Sequence, residues 1–186
     1  DLGDQQLSLP AAEKEARALA EVSSNAKLLV NKQATESAFK TFSPNAKYLH
    51  IASHGQFDSD NPLNSRLLLT NDGQNDGYLT VADIYDLDLN ADLVTLSACE
   101  TGLGDIKKGD DVIGLTRGFL YAGASSIVSS LWVVDDEATE KLMVNFYNGI
   151  DQKGKRDALR NAQLEIKDNY REHPFYWAAF QLTGAN

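Results

Sequence analysis

His50-Ile-Ala-Ser-His54-Gly55 and Leu96-Ser-Ala-Cys99-Glu-Thr-Gly102 are the two stretches whose reading decides the fold. Tyr48 to Ser53 reads as a buried apolar run that stops at His54-Gly55. Leu93 to Ala98 reads as a second run that stops at Cys99, because Glu100, Thr101, Gly102 and Gly104 do not continue a strand. In an open parallel sheet, ligands sit in the crevice outside the carboxyl ends of the strands. An imidazole and a thiol delivered there from two strands can meet in one cleft, which is the arrangement a cysteine nucleophile needs. Cys99 is the single cysteine of the chain.

Working outward, strands alternate with helices. Pro10 opens a helix over Ala11 to Val22, since proline suits a first helical turn. Leu28 to Val30 is a short strand candidate, and Thr35 caps a helix over Glu36 to Phe42 that Pro44 closes. After the strand at 48–53, Asp58 to Asn64 has loop composition, and Leu67 to Leu69 is half of a hairpin marked by Asn71-Asp72-Gly73 and Asp76-Gly77. A short helix near Val81 to Tyr85 precedes the strand at 93–98. Beyond the glycine-rich loop 102–109, Val112 to Ala122 is apolar at helical spacing and stops before Gly123. Ser125 to Leu131 is a strand, Glu137 to Asn148 and Lys155 to Asn169 are helices, and Tyr176 to Thr183 is a last strand. The pattern predicts an α/β fold, a mostly parallel sheet with helices on both faces, in one domain over residues 1–186.

With 186 residues and 42% hydrophobic side chains, the chain can bury a substantial core. Its formal net charge is −10 and its few basic residues form no stripe, so direct nucleic-acid binding is not expected. An acidic surface suits basic peptides. One cysteine excludes an internal disulfide and a thiolate zinc site, and fits a reducing, cytoplasmic setting. No stretch is apolar enough to span a bilayer, so no membrane partner is expected.

A lone cysteine is commonly a small buried hydrophobe. Cys99 departs from that pattern because it sits at a strand edge before a polar loop, where its backbone N–H can face a cleft and stabilise an oxyanion. His54 stands beside Gly55, which lets the backbone approach a substrate and offers a second oxyanion N–H. His50 lies four residues earlier, deeper in the sheet, and is read as structural; His173, before Pro174, is read as surface. Gly102-Leu-Gly104 lacks the third glycine of a dinucleotide loop, since Lys107 stands in its place. No phosphate loop and no His-Glu-x-x-His is present, and Asp110-Asp111 and Asp135-Asp136 read as helix caps, so no metal and no cofactor is expected.

Five ordered blocks carry a family resemblance. They are His50-Ile-Ala-Ser-His54-Gly55, Leu96-Ser-Ala-Cys99-Glu-Thr-Gly102, Gly109-Asp-Asp-Val-Ile-Gly-Leu-Thr-Arg-Gly-Phe-Leu-Tyr-Ala-Gly123, Ser130-Leu-Trp132-Val-Val-Asp135-Asp136 and His173-Pro-Phe-Tyr-Trp177-Ala-Ala-Phe180. Together they closely resemble the CHAT domain, a caspase-like module related to separase and often found behind tetratricopeptide repeats. The resemblance implies a caspase-haemoglobinase fold with His54 and Cys99 as a catalytic dyad. Val133, where the family often has proline, is a departure that leaves the dyad untouched.

By this resemblance the chain is the C-terminal, active half of such a module, with an activating partner reached through N-terminal repeats outside it. Its expected activity is cysteine endopeptidase, in bacterial signalling or defence, on a protein or peptide substrate, with the N–H groups of Gly55 and Cys99 as the oxyanion hole. In the related separases, the segment similar to Trp132-Val-Val-Asp135-Asp136 carries an acid that binds the substrate arginine. Trp132 and one of Asp135 or Asp136 are therefore expected at the substrate, with cleavage after Arg or Lys and the other aspartate capping the next helix. Leu103 to Asp111 is expected to be a mobile rim of the cleft, with Lys107-Lys108 a candidate processing site. The competing expectation is a catalytically silent interaction module.

Overall fold

The structure, a computed structural model, describes residues 9–58, 60–97 and 111–186. The chain opens with helix α1 (Pro10–Val22) and, after an irregular connection, helix α2 (Glu36–Phe42). Thr35 caps α2 through its side chain, which accepts from the N–H of Ala38 at 3.1 Å. Strand β1 (Tyr48–Ile51) follows, then β2 (Gly55–Gln56), β3 (Arg66–Leu68) and β4 (Tyr78–Thr80). Thr80 opens helix α3 (Val81–Tyr85) with a capping box that includes Asp83. Strand β5 (Leu93–Leu96), helix α4 (Asp111–Tyr121), strand β6 (Ser126–Ser130), helices α5 (Asp136–Lys153) and α6 (Lys155–Asn169), and strand β7 (Phe180–Gly184) complete the order.

Two sheets form. The main one runs β1-β5-β6-β7, with β1, β5 and β6 parallel and β7 antiparallel at one edge. The second is a small antiparallel sheet, β2-β3-β4. The fold is thus α/β with a mostly parallel main sheet and helices on both faces, as expected of a caspase-like fold.

Alternation sorts the side chains. Leu49, Ile51, Val94, Leu96 and Ile127 point to one face, packed with Leu115 and Phe119 of α4, Val81 and Ile84 of α3, and Leu67 and Leu79 of the small sheet. Tyr48, Leu93 and Val128 point to the other, against Leu142, Met143, Phe146 and Ile150 of α5 and Ala158, Leu159, Ala162 and Ile166 of α6. α1 lies beside α5 on this second face, where Leu19 joins the core.

Three expectations change in detail. The first apolar run is not one strand to Ser53: β1 ends at Ile51, and after Ala52-Ser53-His54 the chain enters β2 of the other sheet. Leu28 to Val30 forms no strand. Val30 has extended dihedrals (φ −131°, ψ 152°), but no segment among the described residues pairs with it in a ladder. The last strand starts at Phe180 because Pro174–Tyr176 turns as a 3₁₀ helix held by His173, whose Nδ1 accepts from Phe175 N–H at 3.2 Å.

Candidate active site

The candidate site sits at the C-terminal ends of the three parallel strands. β5 lies between β1 and β6, in register Ile51↔Leu96 and Leu96↔Ser129. The β1–β5 ladder closes with the N–H of Ser97 donating to the carbonyl of Ile51 at 2.9 Å. Beyond these ends, the chain leaves β1 toward His54 and leaves β6 toward Trp132 and Asp135. Cys99 lies two residues past Ser97, outside the described residues, as do residues 103–110 with Lys107-Lys108.

His54 sits at the seam between the sheets. It is buried, 2% exposed, and its carbonyl accepts from Leu68 N–H at 2.9 Å. Gly55, next to it, opens β2 opposite Leu67. The small antiparallel sheet therefore holds the backbone from the His54 carbonyl onward.

On the β6 side, Leu131 donates its N–H to Ala179 at 2.8 Å, after which the chain turns outward. Trp132 is 37% exposed and its Nε1 donates to the Phe175 carbonyl at 3.1 Å, so the indole is tied to the turn before β7. Val134 turns back into the core. Asp135 is the N-cap of α5: its Oδ1 accepts from Ala138 N–H at 2.9 Å. Asp136, the first residue of α5, is exposed. The two neighbouring carboxylates thus differ in employment.

His50 takes no place at these ends. Its Nε2 faces Oε1 of Glu15 at 3.0 Å, its Nδ1 lies 3.4 Å from the Tyr147 hydroxyl, and its ring meets Tyr147 edge-on. Tyr147 in turn shares a hydrogen bond with Thr95 at 2.8 Å, and burial pushes its hydroxyl far above the usual phenol range. The other oxygen of Glu15 accepts from Ser97 Oγ at 3.1 Å. The sequence reading passed over Glu15. The available signal was its position, because Ala11, Glu15, Ala18, Leu19 and Val22 share one helical stripe, and a carboxylate on an apolar stripe needs buried partners.

No group of three or more His, Cys, Asp or Glu residues that could hold a metal ion occurs among the described residues. Nor, among them, is any helix long and apolar enough to cross a membrane.

Tetratricopeptide repeat protein 28 of Homo sapiens is 33% identical over 137 residues, 73% of this chain and 5% of that protein. Its Mus musculus counterpart is 33% identical over 110 residues, 58% of this chain and 4% of that protein. The chain therefore spans a small fraction of the length of these relatives. The model of the CHAT domain family matches residues 3–185, and with strands, helices and motif blocks in that order the chain belongs to the CHAT domain family.

Proposed function

We propose that this domain is a cysteine endopeptidase that uses Cys99 as nucleophile and His54 as its acid–base partner. The observation that carries the reading is the strand order: β5, whose chain runs on from Ser97 to Cys99, lies between the strand leading to His54 and the strand leading to Asp136. The thiolate attacks the scissile carbonyl, the N–H groups of Gly55 and Cys99 hold the oxyanion, and His54 protonates the leaving amine. Water then releases the acyl group from sulfur with the imidazole as base.

Specificity follows from the β6 side. Asp135 is committed to the cap of α5, so Asp136 is the acid that meets a substrate Arg or Lys. A carboxylate pairs with guanidinium in bidentate geometry, and the net charge of −10 attracts basic peptides.

The competing reading, a catalytically silent interaction module, draws on the burial of His54, since an acid–base group must reach its substrate. Peptide cleavage together with a thiol-reactive probe decides between them. In the peptidase reading, Cys99→Ala and His54→Ala each lower turnover by several orders of magnitude while the circular dichroism spectrum stays native. Comparable turnover by Cys99→Ala, or no turnover by the parent chain on a full peptide library, favours the silent module.

A further inference from the structure

Glu15 is a buried carboxyl that the chemistry above does not use. It is 5% exposed, on a helix remote in sequence from both catalytic residues, and its two oxygens engage different strands. Oε1 faces His50 of β1, while Oε2 accepts from Ser97 at the end of β5. His50 lies four residues before His54, and Ser97 lies two before Cys99. Oε1 and the facing His50 Nε2 are both buried and make no hydrogen bond among the described residues, so their mutual contact at 3.0 Å is what offsets their desolvation there.

The trio of Ser, Glu and His is not a second catalytic triad. A triad needs the imidazole between the hydroxyl and the carboxylate, whereas here the carboxylate lies between the other two. Its geometry is that of a bridge. Buried polar contacts contribute little net stability against apolar replacements, and their better-attested role is to select one arrangement of the chain.

We propose that Glu15 is a positioning residue. Docked from α1, it clamps the C-terminal ends of β1 and β5 together and thereby fixes the spacing of the two strand ends from which the chain runs on to His54 and to Cys99. The spacing part rests on the dyad reading; the clamp itself stands on the contacts of Glu15. Tyr147 completes the support from α5, holding the far side of His50 and, through Thr95, the middle of β5. Two helices, α1 and α5, thus converge on the two strands at the level where His50 pairs with Thr95.

Glu15→Gln keeps the volume and the acceptor for Ser97 but replaces the carboxyl oxygen facing His50 with an amide nitrogen; Glu15→Ala removes both. Peptide kinetics and amide hydrogen exchange, measured on the parent chain and both variants, test the clamp. Misplacing a reacting group by about 1 Å can lower rate about 100-fold. The expected result is a kcat lowered roughly 10- to 100-fold with KM held within about twofold. Exchange should accelerate at Ser97, which bonds to Ile51, and at Leu68, which bonds to His54, while Val128 in the β6–β7 ladder keeps its protection.

Unchanged exchange at Ser97 and Leu68 in a folded Gln variant overturns the proposal, as does acceleration spread equally over the sheet. Unaltered kcat from an active parent chain overturns it too. A parent chain without peptidase activity, but with the local exchange response, removes the dyad reading and supports the clamp. Should both Glu15 variants fail to fold, Ser97→Ala opens the same bridge from the other strand, and the same local response is required of it.

Discussion

Separating Asp135 from Asp136 is the sharpest perturbation this domain offers. Asp135 accepts from the N–H of Ala138, a residue with 0% exposure, so Asp135→Ala strips a buried donor of its partner. Loss of an N-cap costs about 0.5–2 kcal/mol. The upper half of that range applies, because no solvent reaches Ala138 to replace the carboxylate. For a domain of this size, about 1–2 kcal/mol lowers the melting temperature by roughly 2–8 °C. Asp136 is exposed and Glu137 shares the same helical turn, so Asp136→Ala moves the melting temperature by only about 1 °C. Activity should divide the other way. A hydrogen bond to a charged group contributes about 1.5–3 kcal/mol, so Asp136→Ala should lower kcat/KM for an Arg peptide, relative to its neutral analogue, by roughly 10- to 150-fold. Asp135→Ala should keep the Arg preference when assayed below its melting temperature. Differential scanning calorimetry and a positional peptide library give both numbers. An Arg preference that survives Asp136→Ala refutes the assignment, and so does cleavage after Asp or apolar residues. A melting temperature unchanged in Asp135→Ala refutes the cap.

Three further outcomes concern the scaffold. Phe146, fully buried among the α5–α6 residues, should cost about 3–5 kcal/mol as Phe146→Ala, a fall of roughly 6–20 °C in thermal melts. Gly123→Ala should melt well below the parent chain, because Gly123 has φ +112° and an added methyl would overlap the Leu89 carbonyl oxygen; an unchanged melt would contradict that close approach. The carboxyl of Asp72 is held below the usual carboxylate range by the Ser37 side chain first, then by the Asn75 N–H, with burial opposing. Its contribution is therefore complete above the ordinary aspartate pKa and disappears as the pH falls through the depressed one, so Asp72→Asn should flatten the acid limb of a stability-versus-pH curve.

Local signals carried most of the architecture. Thr35, Gly123 and Asp135 each act within one helical turn, so the helix ends they mark could be read without knowing the partners. The helix expected over Glu137 to Asn148 is longer, because α5 continues past Asn148 to Lys153 and is closed by Gly154, where φ is +76°. Strand direction was not legible: alternation reports which side chains share a face, and β7 looks the same whichever way it runs. The break after Ile51 was hidden for a related reason, since Ala52 and Ser53 fit an apolar run while their neighbours pair with different sheets. Of the candidate site, the approach of His54 and Asp136 to the ends flanking β5 follows from strand order. Glu15 did not, because its partners are 35 and 82 residues away and no local pattern encodes them.

The passage from β1 to β2 has a consequence for how this family can vary in length. Only Ala52, Ser53 and His54 separate a residue in the parallel ladder from one in the antiparallel ladder. One inserted residue would add about 3.3 Å of chain and would either push the imidazole off its place or slip β2 against β3, reversing which side chains face inward. Length change should therefore be tolerated better elsewhere, in connections such as 23–34 that do not join one sheet to the other. Counted along the chain, the spacing from Ile51 to Gly55 behaves as a fixed gauge, and a homologue that lengthens it should have lost the imidazole's role even where the histidine itself is kept.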